Sequence, residues 1–178
     1  VLETGMGGRL DSTNLIVPLV AVMTGIGLEH VGFLGNTLEQ VASEKAGVIK
    51  PGRPVVVGRQ HPAVRRIIED QARAAGSPVL CAEERVAVRR LSQNLDGQLI
   101  SIETADGPWP PLRLPLLGDF QLDNCALAVT ALEWMRAELR LPLTPEAIRA
   151  GLEKTRWPAR CQVVLRDPVF LVDVAHNP

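Results

Sequence analysis

Apolar residues recur along this chain in two rhythms. Short β-branched runs at residues 17–24 and 54–58, bounded by Gly and Pro, have the pattern of strands buried on both faces of a parallel sheet. Between them the spacing becomes helical. Thr37 followed by Gln40 forms a capping box for a helix over Leu38–Ala46, and Gly47 supplies its stop. A second helix is predicted over 61–75, with Val64, Ile67, Ile68 and Ala72 on one face and Gly76 ending it before a strand at Val79–Cys81. This strand-helix alternation predicts α/β architecture.

The middle of the chain has a different texture. Residues 86–90, 98–103 and 112–116 read as shorter strands separated by Asn-Leu-Asp-Gly at 94–97 and Asp-Gly-Pro-Trp-Pro-Pro at 106–111, which predicts an antiparallel region. Over 121–139 the positions Leu122, Cys125, Ala126, Val129, Leu132 and Met135 repeat at helical spacing and predict the longest helix. Thr144 and Pro145 cap and open another, running to about Lys154. Residues 161–174 read as two strands around a turn at Arg-Asp-Pro, 166–168.

Composition narrows the function more than the fold. With 178 residues, 46% hydrophobic and 22% charged, the chain suits one soluble globular domain. Nineteen basic and 20 acidic residues give no basic excess for nucleic acid or an anionic membrane. Cys81, Cys125 and Cys161 are odd in number and far apart, so neither a disulfide framework nor a thiolate zinc site is encoded, and a cytoplasmic location fits. The longest apolar stretch, 15–26, is too short and too interrupted to span a bilayer. No phosphate loop, dinucleotide fingerprint or Gly-x-Ser-x-Gly elbow is present, and Glu83 with Glu84 reads as surface charge.

Chemistry concentrates in residues 3–14, Glu-Thr-Gly-Met-Gly-Gly-Arg-Leu-Asp-Ser-Thr-Asn. Its glycines let the backbone approach another group closely, while Glu3, Asp11, Ser12, Thr13 and Asn14 offer hard oxygens to a cation or hydrogen bonds to a heterocycle. Glu29-His30 follows the first predicted strand and Glu44-Lys45 lies on the capped helix, so these groups gather where ligands bind open parallel sheets. Two protein ligands would leave a magnesium ion open to phosphate. Farther on, Arg160 after Trp157-Pro158 could pair with a phosphate, Asn124 is a polar residue in an apolar helix, and Asp173 at a strand end suits a ribose hydroxyl, a hinge contact or a cap.

Together, in order, the blocks 3–14, 25–30 (Gly-Ile-Gly-Leu-Glu-His), 44–50 (Glu-Lys-Ala-Gly-Val-Ile-Lys), 118–124 (Gly-Asp-Phe-Gln-Leu-Asp-Asn), 157–160 (Trp-Pro-Ala-Arg) and 173–178 (Asp-Val-Ala-His-Asn-Pro) closely resemble the folylpolyglutamate synthase/dihydrofolate synthase family, a branch of the Mur ligase superfamily. The resemblance implies a three-layer central domain, a largely parallel sheet flanked by helices with a small antiparallel β region. It implies ATP-dependent ligation of L-glutamate to a folate or dihydropteroate carboxylate through an acyl phosphate, by a monomer. Glu3 and His30 match magnesium ligands, and Lys45 matches a lysine carbamylated to N6-carboxylysine, which would bring an anionic oxygen toward a second magnesium ion. Leu10, Asp11 and Ser12 match a pterin-contacting segment, whereas Asn124, Arg160, Asp173 and His176 match the nucleotide side. By the same resemblance, Arg160 would stabilise charge on the γ-phosphate.

The chain departs from the family pattern at Ala159 and Val174, where glycine is usual, and at Glu29, where Asp is common. Residues 1–178 are expected to be the greater part of a central ATPase domain, without the upstream phosphate loop and the C-terminal domain that helps bind glutamate; alone they should turn over little ATP. Another Mur-type amide ligase and a non-catalytic ligand-binding fragment are the alternatives.

Overall fold

The computed structural model describes residues 1–175, so His176 falls outside the described residues. The chain divides into two units, Val1–Ala82 and Glu83–Pro178.

The first unit holds β1 (Ala21–Met23), α1 (Leu38–Ala46), β2 (Val55–Val57), α2 (Pro62–Ala74) and β3 (Val79–Cys81). Its sheet is parallel in the order β1-β2-β3, with Ala21 opposite Val55 and Val55 opposite Val79. Sequential parallel neighbours joined by right-handed crossovers put both helices on one face, and α1 packs against α2. Ala21, Met23, Val55 and Val57 meet Ala42, Ala46, Val64, Ile68 and Ala72 there in a core of buried residues. Val56 and Leu80 turn to the opposite face and are also buried, which explains the unbroken apolar run of β2. The first strand is shorter than the sequence predicts. Val17 and Leu19 are exposed, and only Ala21–Met23 finds register partners, because β2 offers just three residues.

Each helix of this unit carries its own stop and start signals. Thr37 and Gln40 complete the capping box of α1. In α2 the His61 imidazole accepts the Ala63 amide at 3.3 Å, and Pro62 occupies the first turn where its missing N–H costs nothing.

A single turn of helix, α3 (Ala82–Arg85), leads into the second unit. Here β4 (Ala87–Asn94), β5 (Gly97–Thr104), β6 (Gly107–Pro108) and β7 (Leu112–Leu114) form an antiparallel sheet with β5 at its centre. The two-residue β6 inside the Pro-rich connection carries no sequence signal. The helix α4 (Phe120–Glu138) follows, then α5 (Pro145–Glu153), whose Thr144 cap accepts the Ala147 amide at 3.2 Å. Burial surrounds the first half of α4, including Gln121, Cys125, Leu127 and Thr130, rather than following one stripe. Finally β8 (Gln162–Arg166) and β9 (Val169–Val172) pair as an antiparallel hairpin. The α/β class, the parallel sheet with its helices and the antiparallel strands are those expected. Among the described residues no helix is long and apolar enough to cross a membrane, and Cys81 and Cys125 are buried.

Candidate functional site

In the first unit the glycine-rich segment is organised by one carboxylate. Asp11 caps a 3-10 turn (Ser12–Leu15). Its Oδ1 accepts the Thr13 amide at 2.9 Å and the Thr13 hydroxyl at 2.5 Å. Its Oδ2 accepts the amides of Gly5 at 3.1 Å and Met6 at 3.0 Å. The Thr13 hydroxyl foremost, then these amides, hold the Asp11 carboxyl down at about 2. Both oxygens are thereby committed to the loop. Asp11 thus has a structural role in the loop, and Thr13 spends its hydroxyl proton on it while keeping its oxygen lone pairs; Leu10, 80% exposed, and Ser12 face outward.

The glycines serve a neighbour in the fold. A Cβ on Gly8 would lie 2.8 Å from the carbonyl oxygens of Glu44 and Lys45, and one on Gly47 would lie 2.4 Å from the Cβ of Arg9. The segment is therefore pressed directly onto the C-terminal turn of α1. Around that contact the Arg9 amide donates to the Glu44 carbonyl at 2.9 Å, and the Arg9 guanidinium grips the Glu44 carboxylate at 2.8 and 3.2 Å. The Asn14 side-chain amide donates to the carbonyls of Arg9 at 3.0 Å and Gly47 at 3.1 Å, and Lys50 donates to the Asn14 carbonyl at 2.6 Å. Residues 36 positions apart are thus tied at one point, and that point carries Lys45.

Lys45 pairs with Glu29, both side chains being about a quarter exposed (24% and 22%). His30 follows at a left-handed φ of 48°, and its carbonyl accepts the amides of Phe33 and Leu34, closing a tight turn. Glu3 is exposed, outside any strand, and neither it nor the His30 imidazole has a hydrogen bond or ion pair among the described residues. No cluster of three or more metal-ligating side chains occurs among those residues. Of these two groups the Glu3 carboxylate is the kind of oxygen ligand that magnesium takes, whereas an imidazole is more usual for zinc.

The second unit holds the remaining candidates. Asn124, in the first turns of α4, donates to the Gln121 side chain at 3.1 Å. Gln98, fully buried, donates to the carbonyls of Leu116 at 2.8 Å and Gly118 at 3.1 Å and so anchors the entry to that helix. Sequence reasoning missed it, although a Gln at an inward position of an alternating strand was the available signal.

Arg160 lies in a turn bracketed by left-handed residues, Ala159 at φ 59° and Cys161 at φ 45°. Asp173 holds this turn from beyond β9. Its Oδ2 accepts the Cys161 amide at 2.8 Å and the Cys161 thiol at 3.1 Å, and its Oδ1 accepts the Ala175 amide at 2.5 Å. The Cys161 thiol foremost, then the amides of Ala175 and Cys161 and the charge of Arg160, keep the Asp173 carboxyl below its ordinary range. Ala159 is fixed too, its amide donating to Gln162 Oε1 at 2.9 Å and its carbonyl accepting the Val174 amide at 2.9 Å. The fold brings Arg160 and Asp173 together; no hydrogen bond links Asn124 to either.

Residues 1–132 match the Mur ligase middle domain family. The chain is 37% identical over 177 residues to the dihydrofolate synthase/folylpolyglutamate synthase of Bacillus subtilis, covering 99% of this chain and 41% of that protein. It is 38% identical over 178 residues to the folylpolyglutamate synthase of Lacticaseibacillus casei, covering 100% of this chain and 42% of that one. The chain thus spans about two fifths of the length of these relatives. In structure it is similar to an FPGS-AMPPCP-folate complex, with a TM-score of 0.94 at 37% identity over 99% of this chain and 43% of that one. It is also similar to Mycobacterium tuberculosis folylpolyglutamate synthase complexed with ADP and AMPPCP, with a TM-score of 0.85 at 35% identity over 98% of this chain and 40% of that one.

Proposed function

The chain belongs to the Mur ligase family through its middle domain, and from that premise we propose that it serves the ATP-dependent ligation of L-glutamate to a folate or dihydropteroate carboxylate through an acyl phosphate. The observation that carries this reading is similarity along essentially the whole chain to folylpolyglutamate synthases, one of them complexed with AMPPCP and folate. In this reading residues 1–178 are a segment of a central ATPase domain.

The roles divide between the units. In the first, Leu10 and Ser12 present the face that meets the pterin-bearing substrate, and Asp11 keeps that face in shape through its hydrogen bonds to Gly5, Met6 and Thr13. Glu3 and His30 would hold magnesium. When bound, that ion supplies charge neutralisation to phosphate oxygens. Lys45 would act as N6-carboxylysine: its amine nitrogen bonds the carbon of CO2, one C=O electron pair moves to oxygen, and the displaced proton passes to solvent. The product is anionic, so the modification would replace the Lys45 to Glu29 ion pair with like charges. In the second unit, Arg160 would place its guanidinium against the terminal phosphate and stabilise the charge that develops on transfer. Asn124, and His176 beyond the described residues, would contact the nucleotide. The protein is read as a cytoplasmic monomer, in keeping with three cysteines whose number and spacing encode no disulfide framework.

The test is phosphate release by the full-length protein that carries this chain. Release that requires both glutamate and a folate or pteroate acceptor is expected; none with any such acceptor would reject the proposal. The family match alone also admits another Mur-type amide ligase, and equilibrium binding of dihydropteroate against a UDP-linked sugar separates the two.

A further inference from the structure

The turn that carries Arg160 is held more tightly than its exposure requires. Ala159 has both its amide and its carbonyl engaged, by Gln162 Oε1 and by the Val174 amide. Cys161 has its amide and its thiol engaged by the same Asp173 oxygen. The residue between them therefore has a pinned peptide on each side, while both neighbours adopt left-handed conformations that a free turn would leave. Fixing a backbone costs conformational entropy, so these contacts hold the Arg160 backbone in place before any ligand arrives. Asp173 directs its Oδ2 into the turn, while its Oδ1 accepts the Ala175 amide.

We propose that Gln162 and Cys161 are positioning residues for Arg160, and that the turn they close sets how strongly the protein prefers a nucleoside triphosphate to a diphosphate. The inference rests on the reading that Arg160 meets the terminal phosphate. Gln162 acts through its side-chain oxygen, which replaces a backbone carbonyl as acceptor for the Ala159 amide. Cys161 acts as a donor to Asp173, a role that a serine hydroxyl also fills.

The experiment measures dissociation constants for ADP and for a non-hydrolysable ATP analogue in the full-length protein, with thermal unfolding of each variant. For Gln162→Ala and Cys161→Ala the triphosphate-to-diphosphate preference should fall by roughly three- to ten-fold, the range one hydrogen bond supports, with ADP affinity changed less than about two-fold. Gln162→Glu and Cys161→Ser, which keep the acceptor and the donor, should restore it. Arg160→Ala should lower the preference by roughly ten- to a hundred-fold. If Arg160→Ala collapses the preference but Gln162→Ala does not, the positioning role is refuted and the reading of Arg160 stands. If Gln162→Ala weakens ADP and the triphosphate analogue equally, the residue is merely structural and the proposal also fails. If Arg160→Ala changes nothing, the reading of Arg160 itself is refuted.

Discussion

Gly8→Ala distinguishes two reasons for a glycine-rich segment. The added Cβ would sit 2.8 Å from two backbone carbonyl oxygens of α1 and 2.9 Å from a Val48 methyl, and the backbone oxygens cannot rotate away. Ordinary contact begins near 3.4 Å, so segment and helix must part by about 0.6 Å. That displacement would stretch the 2.9 Å bond from the Arg9 amide to the Glu44 carbonyl to the edge of useful geometry. Overpacking costs about 1–3 kcal/mol and a weakened hydrogen bond about 0.5–1.5. Taken together, roughly 2–4 kcal/mol is expected. At about 2–4 °C per kcal/mol for a chain of this length, Tm should fall by roughly 4–16 °C without any ligand. The control is Gly27→Ala, whose Cβ would meet nothing within 4 Å and should stay within about 1 kcal/mol of the parent. Differential scanning calorimetry of the ligand-free protein decides the matter. If Gly8→Ala melts with the parent and loses only ligand affinity, the glycine serves the ligand and the docking argument is wrong.

Ala159→Gly should stabilise the protein by about 0.5–1 kcal/mol, because φ 59° disfavours an L-residue; a lowered urea midpoint would contradict this. Asp11→Asn should destabilise the first unit in a pH-dependent way. The folded carboxyl lies at about 2 against an ordinary 3.8, so its contribution is complete above the ordinary value and fades as pH falls through the folded one. The gap in urea midpoint between parent and variant should hold steady near neutral pH and narrow below about pH 4; a gap that is constant to pH 2 would refute the assignment. Lys45→Arg keeps a cation beside Glu29 but cannot be carbamylated. Ligase turnover in the full-length protein should drop by roughly a hundred-fold or more with Tm little changed, and retained turnover would exclude the carbamate role.

Secondary structure was legible wherever a segment carried its own punctuation. The helix Leu38–Ala46 has a capping box and a following glycine in the sequence, and its bounds agree with the structure. The strand β4 runs on to Asn94, past the expected end at 90, since an exposed edge strand admits Ser92, Gln93 and Asn94, which look like loop. Site residues were legible as types, and their partners were not. Nothing local says that Gly8 presses on Glu44 and Lys45, or that Gln98 reaches Leu116 and Gly118, because those contacts are set by tertiary packing across many residues.

The two units solve one problem in the same way. In each, an aspartate that the sequence offers as a ligand accepts backbone amides and closes a turn: Asp11 bonds Gly5, Met6 and Thr13, and Asp173 bonds Cys161 and Ala175. A carboxylate suits this because it is acceptor-only and can take several donors at once. What it presents is its neighbour, the exposed Leu10 and Ser12 beside Asp11, and the half-buried Arg160 turn across from Asp173. Both carboxyls are held below their ordinary range, so each turn is stabilised above that range and loosens as pH falls through its own carboxyl's depressed value. Removing either acid should therefore act on ligands indirectly. Asp11→Asn should relax the presentation of Leu10 and Ser12, and Asp173→Asn that of Arg160, with nucleotide discrimination changing only in the second case. An equal loss of triphosphate preference in Asp11→Asn would show that the turns are not independent devices.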